Sequence, residues 1–130
     1  MSNKDNIKIN IMSFGYKYGL PEDANFLQDV RFLPNPYYDE KLKEKSGLDS
    51  DVREYVKRTP ESREYISRLK SFLEFYISMC FLSEKGSLTI SIGCTGGRHR
   101  SVTVACEIYD FLTSLGYCAR ISHRDIEKDG

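Results

Sequence analysis

The sequence carries no surplus of charge of either sign. Its 130 residues include 19 Lys and Arg and 19 Asp and Glu, so the formal net charge at neutral pH is zero. A basic nucleic-acid-binding arm and an acidic solvating tail are therefore excluded as descriptions of the whole chain, although a local basic patch is not. Hydrophobic residues make up 40% of the chain, and a chain of this length suits one domain with one core.

Long hydrophobic runs are also missing. No stretch approaches the roughly 18 apolar residues of a transmembrane helix, and the first six residues, Met1 to Asn6, lack the apolar centre of a secretion signal. We therefore expect a cytoplasmic protein with no membrane contact. The whole chain, 1–130, is expected to form a single domain, with residues 1–6 flexible.

Cysteines with the spacing of a metal site or of a disulfide framework are absent. The four cysteines stand at positions 80, 94, 106 and 118 without any C-x-x-C pair, and the chain has only two histidines. Neither a metal site nor a cofactor is therefore expected. Cys80, Cys106 and Cys118 are expected to be small buried hydrophobic residues, whereas Cys94 stands in a different setting.

Hydrophobic periodicity predicts an α/β fold. Ile7, Ile9 and Ile11 alternate with polar residues, as in a strand with one apolar face. Thr59-Pro60-Glu61 is typical of a helix start, and apolar residues follow it at helical spacing as far as Cys80. Further strands are predicted at 26–33, 88–92 and 117–122, and further helices at 51–57 and 102–112. This order predicts a small, mostly parallel sheet with flanking helices, in which ligands collect beyond the carboxyl ends of the strands.

One segment concentrates residues that suit a bound phosphate. It reads Gly93-Cys94-Thr95-Gly96-Gly97-Arg98-His99-Arg100-Ser101 and lies between a predicted strand and a predicted helix. Its glycines allow a ligand to approach the backbone, and the helix start offers free N–H groups and the positive end of a dipole. Arg98, His99 and Arg100 add cationic donors, and Thr95 and Ser101 add hydroxyls. We predict that Cys94–Ser101 binds a phosphorylated small molecule; the alternative is a tight turn whose arginines face solvent.

Polar residues near the ends of the other predicted strands are candidates for the same site. Asp29 and Arg31 are two residues apart, so they share one face of a strand. They form either an internal ion pair or part of the site, where Asp29 would orient an arginine or bind a sugar amine. Lys17 lies in the exit loop of the first strand and is either an anion ligand or a solvated lysine. His123 and Arg124 follow the last strand, where His123 is either a ligand or a plain surface residue.

The glycine-rich segment also matches a catalytic pattern. Cys94, five intervening residues, Arg100 and Ser101 give C-x5-R-S, which resembles the signature of cysteine-dependent phosphatases. In that class a thiolate attacks phosphorus while the arginine binds the phosphoryl oxygens, and a helix start beside arginines favours the thiolate. The residue before the cysteine is glycine, where that class usually has histidine. This alternative, a phosphatase or phosphotransferase, assigns catalytic roles to Cys94, Arg100 and Asp29, with Asp23 and Asp39 as other candidate acids.

Six motifs along the chain are longer and more specific. They are Ser13–Pro21, Asp29–Pro36, Gly47–Asp49, Ile92–Gly97, His99–Val102 and His123–Arg124. Together they resemble the C-terminal domain of the RapZ family, the bacterial RNase adapter proteins, whose relatives are often labelled nucleotide-binding proteins. The resemblance extends over about residues 7–128.

The resemblance to this family implies a fold, a ligand and partners. The fold is a phosphofructokinase-like α/β domain, and the ligand is an amino-sugar phosphate such as glucosamine-6-phosphate. The partners are a small RNA and an endoribonuclease. The family's N-terminal P-loop domain is absent from these 130 residues, which contain no G-x-x-x-x-G-K-[ST]. Its nucleotide binding therefore does not carry over, and a separate P-loop partner chain and a homo-oligomer are candidate assemblies.

Two departures from the family pattern bear on function. Tyr37 stands where the enterobacterial sensor has a histidine in its sugar pocket, which makes Tyr37 a candidate ligand contact. The chain closes with Asp125-Ile126-Glu127-Lys128-Asp129-Gly130, where the adapter has a basic RNA-binding end. Since RNA affinity depends on neutralising phosphates, we expect any RNA binding to be weak and sensitive to salt.

Overall fold

A four-stranded sheet organises the chain in the computed structural model, which describes residue 4 and residues 7–83 and 86–128. Its strands are β1 (Lys8–Gly15), β2 (Phe26–Asp29), β3 (Ser87–Cys94) and β4 (Cys118–His123), in the spatial order β2-β3-β1-β4. All three neighbouring pairs are parallel, so the carboxyl ends of the strands lie along one edge of the sheet. The α/β class expected from the sequence is confirmed.

Three α-helices accompany the sheet: α1 (Ser50–Val56), α2 (Pro60–Leu82) and α3 (Arg100–Ser114). The start of α2 follows the predicted capping pattern, since the Thr59 hydroxyl accepts a hydrogen bond from the Ser62 N–H at 3.0 Å and proline occupies the first turn. Short 3-10 turns stand at Tyr16–Tyr18 and Pro36–Tyr38. No helix among the described residues is long and apolar enough to span a membrane.

The core lies on one face of the sheet. Ile9 and Ile11 are buried on that face of β1, whereas Lys8 and Asn10 on the opposite face are exposed. Helices α2 and α3 close the core with apolar rows that belong to one continuous cluster, namely Ile66, Leu69, Leu73 and Ile77 from α2 and Val104, Ile108 and Leu112 from α3. The domain therefore has two layers, with the helices on one side of the sheet.

The end of one strand and the burial of two cysteines differ from what the sequence predicted. Strand β2 ends at Asp29 and not at Leu33, because the chain turns there: the Val30 N–H donates to the Gly93 carbonyl, and the Leu33 N–H to the Val30 carbonyl. Cys118 is exposed and Cys80 is half-buried, so of the three cysteines expected in the core only Cys106 is buried. Cys118 begins an edge strand and points to the uncovered face of the sheet.

The N-terminal expectation is mostly outside the described residues. Of residues 1–6 the structure describes Lys4, whose ammonium group donates to the Leu115 carbonyl and lies 5.0 Å from the centre of the Tyr117 ring. The predicted flexibility of the other five residues falls outside the described part of the chain.

Leu73 provides a test of the two-layer packing. It is fully buried between α2 and the sheet, so Leu73→Ala should lower the free energy of unfolding by about 2–5 kcal/mol through lost burial and the cavity left behind. Urea denaturation followed by circular dichroism measures this change. Glu74→Ala, one position along and exposed, should change the free energy by no more than about 0.5 kcal/mol. Equal effects of the two substitutions would contradict the packing.

Candidate functional site

The glycine-rich loop, residues 94–101, joins the carboxyl end of β3 to the start of α3. Cys94 is the last residue of the strand and Arg100 the first of the helix, so the loop lies at a strand-to-helix junction, as predicted, although both elements extend closer to it than the predicted strand 88–92 and helix 102–112. His99 occupies the N-cap position, but its side chain makes no capping hydrogen bond. The first N–H groups of a helix have no partners within the helix and attract anions, so this junction offers backbone donors to a ligand.

The loop packs directly against the end of β1 through glycines. Gly97 has a φ of +78°, a conformation that favours glycine. A Cβ atom on Gly97 would also lie 2.6 Å from the backbone nitrogen of Gly15, and a Cβ on Gly15 would collide with the backbone of Gly96. The two backbones therefore touch, and side chains at these positions would force them apart.

Asp125 stabilises this contact between the end of β1 and the glycine-rich loop. Its carboxylate is fully buried, accepts a hydrogen bond from the Gly15 N–H at 2.7 Å, and forms ion pairs with Arg124 at 2.8 Å and Lys128 at 2.7 Å. Burial by itself raises the pKa of Asp125, but the hydrogen bonds from Arg124, Lys128 and the Gly15 N–H outweigh it, so the pKa lies below its ordinary value. Asp125 is thus an internal anchor and not part of a solvated acidic tail.

Arg98 holds the segment before α1 against the loop. Its guanidinium donates to the carbonyls of Lys45 at 3.0 Å and Ile126 at 3.2 Å, and also to that of Glu44. In return, the Gly47 N–H donates to the Arg98 carbonyl at 2.9 Å. A guanidinium has five N–H donors, and in Arg98 these three backbone carbonyls accept hydrogen bonds from several of them. The predicted ligand residue Arg98 is therefore engaged in holding the loop.

Arg100 differs from Arg98 in both burial and partners. Only 6% of it is exposed, and its guanidinium donates to the Arg31 carbonyl and, at 3.4 Å, to the Thr95 hydroxyl. Its Nε is buried without a hydrogen-bond partner among the described residues. Within that same part of the chain, no carboxylate lies within ion-pairing distance of this guanidinium. Arg100 is thus a buried cation that donates to a backbone carbonyl and a hydroxyl, both of them neutral.

Cys94, Ser101 and His99 are buried beside it. The Cys94 thiol donates to the Ser101 hydroxyl at 3.2 Å, and both residues are inaccessible to solvent or nearly so. Burial lowers the pKa of His99, an effect that the Lys45 and Lys43 carbonyls oppose only in part. His99 is therefore uncharged at neutral pH and does not supply the cationic donor expected from the sequence.

Asp29 and Arg31 form the ion pair that the sequence offered as one alternative. Their side chains meet at 2.7 Å, and both are partly exposed. Arg31 also lies 4.0 Å over the Tyr16 ring. The Arg31 guanidinium holds the pKa of the Asp29 carboxyl below its usual range. Since Asp29 pairs with Gly93 in the sheet register, this carboxylate stands one residue from the glycine-rich loop.

The remaining candidates lie in different environments. The Lys17 N–H donates to the Thr95 carbonyl at 3.2 Å, which brings this exposed lysine beside the loop. Arg124 donates to the Gly19 carbonyl at 2.7 Å and pairs with Asp125. His123 turns toward α3: its Nδ1 lies 2.7 Å from the Ser13 hydroxyl and its Nε2 4.0 Å from the Cys106 sulfur. Tyr37 is half-exposed beneath Lys43, whose ammonium is 4.6 Å from the ring centre.

Sequence reasoning missed the residues that hold the loop in place. Gly15, Gly47 and Asp125 have no role in the predicted site, yet each contacts the loop or fixes a backbone that does. A Cβ on Gly47 would lie 2.6 Å from the His99 carbonyl oxygen. The sequence offered one indication of this role, because Gly15 lies in the motif Ser13–Pro21 and Gly47 in the motif Gly47–Asp49.

These features define a parallel α/β domain with a glycine-rich strand-to-helix loop at the carboxyl edge of its sheet. The chain belongs to the RapZ C-terminal domain family, which it matches over residues 7–127. It is 48% identical over 126 residues to a "Nucleotide-binding protein" of Caldicellulosiruptor saccharolyticus and 49% identical over 125 residues to one of Agathobacter rectalis. These matches cover 97% and 95% of this chain but 43% of each relative, so the chain spans less than half the length of those proteins.

The anchor at Asp125 can be tested through stability. Asp125→Asn keeps an acceptor for the Gly15 N–H but removes the charge that Arg124 and Lys128 pair with, so we expect a loss of about 2 kcal/mol in the free energy of unfolding. Glu127→Gln removes the same charge from an exposed neighbour and should change little. Urea denaturation at pH 7 compares the two variants with the wild type.

The difference in stability between the wild type and Asp125→Asn should depend on pH. The folded-state pKa of Asp125 is depressed, so its stabilising effect is complete above the unfolded pKa of about 3.9 and disappears as the pH falls through the folded value. The gap between wild type and Asp125→Asn should therefore be constant from pH 7 to about pH 5 and close in stronger acid. A gap that stays open after Asp125 has become protonated would contradict this account.

Proposed function

We propose that this domain is a regulatory ligand-binding module that takes a phosphorylated small molecule at the glycine-rich loop. The observation that carries the proposal is Arg100, a buried guanidinium with an unpartnered Nε and no carboxylate in pairing range among the described residues. A buried charge without a counter-charge is costly. A phosphate group would supply two negative charges and acceptors for the free donors of Arg100.

The surroundings of Arg100 support a phosphate rather than a carboxylate ligand. Thr95 is exposed beside the guanidinium and offers a hydroxyl, and the first turn of α3 offers N–H groups. Lys17 and the ion-paired Arg31 add positive charge at the rim of the loop. Donors from Arg100, Thr95 and the first turn of α3 would match the three terminal oxygens of a phosphate monoester better than the two oxygens of a carboxylate.

Asp29 favours a ligand that also carries a cation. Its carboxylate is ionised at neutral pH, Arg31 holds its pKa below the ordinary value, and it lies one residue from the loop in the register of β2 and β3. An amino-sugar phosphate brings a phosphate for Arg100 and an ammonium group for Asp29. We therefore propose the amino-sugar phosphates, with glucosamine-6-phosphate as the first compound to test.

Calorimetric titration with matched ligands tests this proposal. Glucosamine-6-phosphate should bind more tightly than glucose-6-phosphate, which lacks the amine, and more tightly than glucosamine, which lacks the phosphate. Arg100→Ala should weaken binding at least tenfold, because each charge-assisted hydrogen bond contributes about 1.5–3 kcal/mol and 1.4 kcal/mol corresponds to a factor of ten. Arg68→Ala, which removes an exposed arginine of α2, is the control and should leave binding unchanged.

Two further variants keep the test decisive if Arg100→Ala does not fold. Thr95→Val removes an exposed hydroxyl with little change of shape and should weaken all phosphorylated ligands several-fold. Asp29→Asn should reduce the preference for glucosamine-6-phosphate over glucose-6-phosphate. If neither compound binds the wild type, nor inorganic phosphate, the proposed function is wrong.

Cys94 distinguishes a binding site from a covalent catalyst. The thiol is buried and donates to Ser101, whereas a nucleophilic thiolate must face the phosphorus atom of the substrate. We therefore expect no hydrolysis of an aryl phosphate by the wild type, and full retention of glucosamine-6-phosphate binding in Cys94→Ser. Turnover that disappears in Cys94→Ser would instead assign phosphatase or phosphotransferase chemistry to Cys94 and Arg100.

RNA binding, if the domain shares it with the adapter proteins, should be weak. The net charge is zero, and Arg124 and Lys128 both form ion pairs with the Asp125 carboxylate. Affinity for RNA depends on cations free to displace counterions from phosphates. Fluorescence titration with a labelled RNA hairpin should show an affinity that falls steeply between low and physiological salt. Nanomolar binding at physiological salt would overturn this expectation.

A further inference from the structure

His123 and the two residues after it join the end of β4 to the end of β1. The His123 Nδ1 lies 2.7 Å from the Ser13 hydroxyl oxygen, and the Arg124 N–H donates to the Ser13 carbonyl at 3.0 Å. The Asp125 carboxylate then accepts a hydrogen bond from the Gly15 N–H at 2.7 Å. Since Gly15 touches the backbone of the glycine-rich loop, this series of contacts leads from His123 to the candidate site.

The imidazole of His123 lies in surroundings that suit its neutral form. The ring is half-buried, and its Nε2 is 4.0 Å from the sulfur of Cys106 in α3. Ser13 is fully buried and Cys106 nearly so. A neutral imidazole has one donor and one acceptor nitrogen, whereas the protonated ring has two donors. Protonation would therefore take an acceptor away from the Ser13 hydroxyl or from the Cys106 thiol, both of which are shielded from water.

The charges around His123 also disfavour a proton on its ring. Burial lowers the pKa of His123, and the positive charge of Arg53 in α1 lowers it further. In the described part of the chain, no carboxylate forms an ion pair with the ring. The acids on the segments packed against it have other partners or face solvent: Glu107 pairs with Lys57 and Lys70, Asp125 pairs with Arg124 and Lys128, and Asp110 is exposed.

We propose that His123 is a pH-sensitive switch for the candidate ligand site: its neutral form holds the end of β4 on β1, and its protonation releases that end and weakens binding at the glycine-rich loop. The inference rests on the proposed function, because it assigns a regulation to the same site. Arg53 adds a second link, since its Nε donates to the Gly47 carbonyl at 2.8 Å and the Gly47 N–H donates to the Arg98 carbonyl. A charge on His123 would thus repel a residue that supports the other side of the loop.

The direction of the response follows from the preference of the fold for neutral His123. An ordinary histidine has a pKa of about 6.5, and that of His123 is lower. The end of β4 is therefore fully held above about pH 6.5 and loses stability as the pH falls below that value. Asp125 stays ionised in this range, because its pKa lies below that of an ordinary carboxyl. His99 also has a lowered pKa, so the test compares proteins that differ only at His123.

Nuclear magnetic resonance of the free 130-residue chain tests the link between His123 and Gly15 without a ligand. From about pH 7.5 to about pH 5, the Gly15 amide resonance should shift with the same midpoint as the His123 ring. In His123→Asn, whose amide can still hydrogen-bond to Ser13 but does not titrate, the Gly15 resonance should stay constant. The control is Ser122→Ala, at an exposed position on the other face of β4, and it should behave like the wild type.

Two results of this titration would overturn the proposal. One is a His123 ring that stays neutral throughout the range. The other is a Gly15 resonance that does not follow the His123 ring, or that shifts equally in His123→Asn.

Calorimetric titration with glucosamine-6-phosphate at the same pH values tests the effect on the site. The phosphate group and His99 are common to both proteins, so the quantity to compare is the affinity of His123→Asn divided by that of the wild type. This ratio should be near one above the midpoint of the His123 titration and should rise to about fivefold or more below it, the usual size of a coupling between two sites. A ratio that stays near one would overturn the proposal. If the compound binds neither protein at any pH, the proposed function fails, and the Gly15 resonance still decides whether His123 acts as a switch.

Discussion

The contact between the end of β1 and the glycine-rich loop is the constraint on which the rest of the site depends. Gly15 and Gly97 lie backbone to backbone, at a distance that admits no Cβ atom on either side. The Asp125 carboxylate, two residues beyond the end of β4, accepts a hydrogen bond from the Gly15 N–H. Three strand ends are thereby fixed relative to each other, and the start of α3 is fixed with them.

This fixed geometry keeps Arg100 buried while its Nε has no hydrogen-bond partner among the described residues. The helix start carries Arg100 inward, where the Arg31 carbonyl and the Thr95 hydroxyl orient its guanidinium. Neither partner is charged, so the fold holds the Arg100 cation in a buried position where desolvation disfavours its charge. Arg98, two residues earlier, shows the contrasting solution, because its donors reach carbonyls of the segment before α1 and of the C-terminal segment. The two arginines of this loop thus differ in their hydrogen-bond partners.

The one-sided packing of the domain has a second consequence. Both long helices lie on the same face of the sheet, and α2, at 23 residues, has its apolar residues on two sides. One row closes the core, while the other faces outward beside the aromatic cluster of Phe26, Phe72 and Tyr76.

The sequence by itself determined the type and order of the elements, because hydrophobic periodicity and capping residues act locally. It also located the glycine-rich loop, since a strand, a loop with glycines and basic residues, and a helix follow one another directly. It could not distinguish Arg98 from Arg100, nor show that His99 is buried and uncharged, because those properties depend mainly on contacts with residues 31 and 43–45, more than 50 positions earlier in the chain. For the same reason Asp125, an ordinary acidic residue near the end of the chain, became an anchor only in the tertiary structure, which brings it to Gly15 across 110 positions.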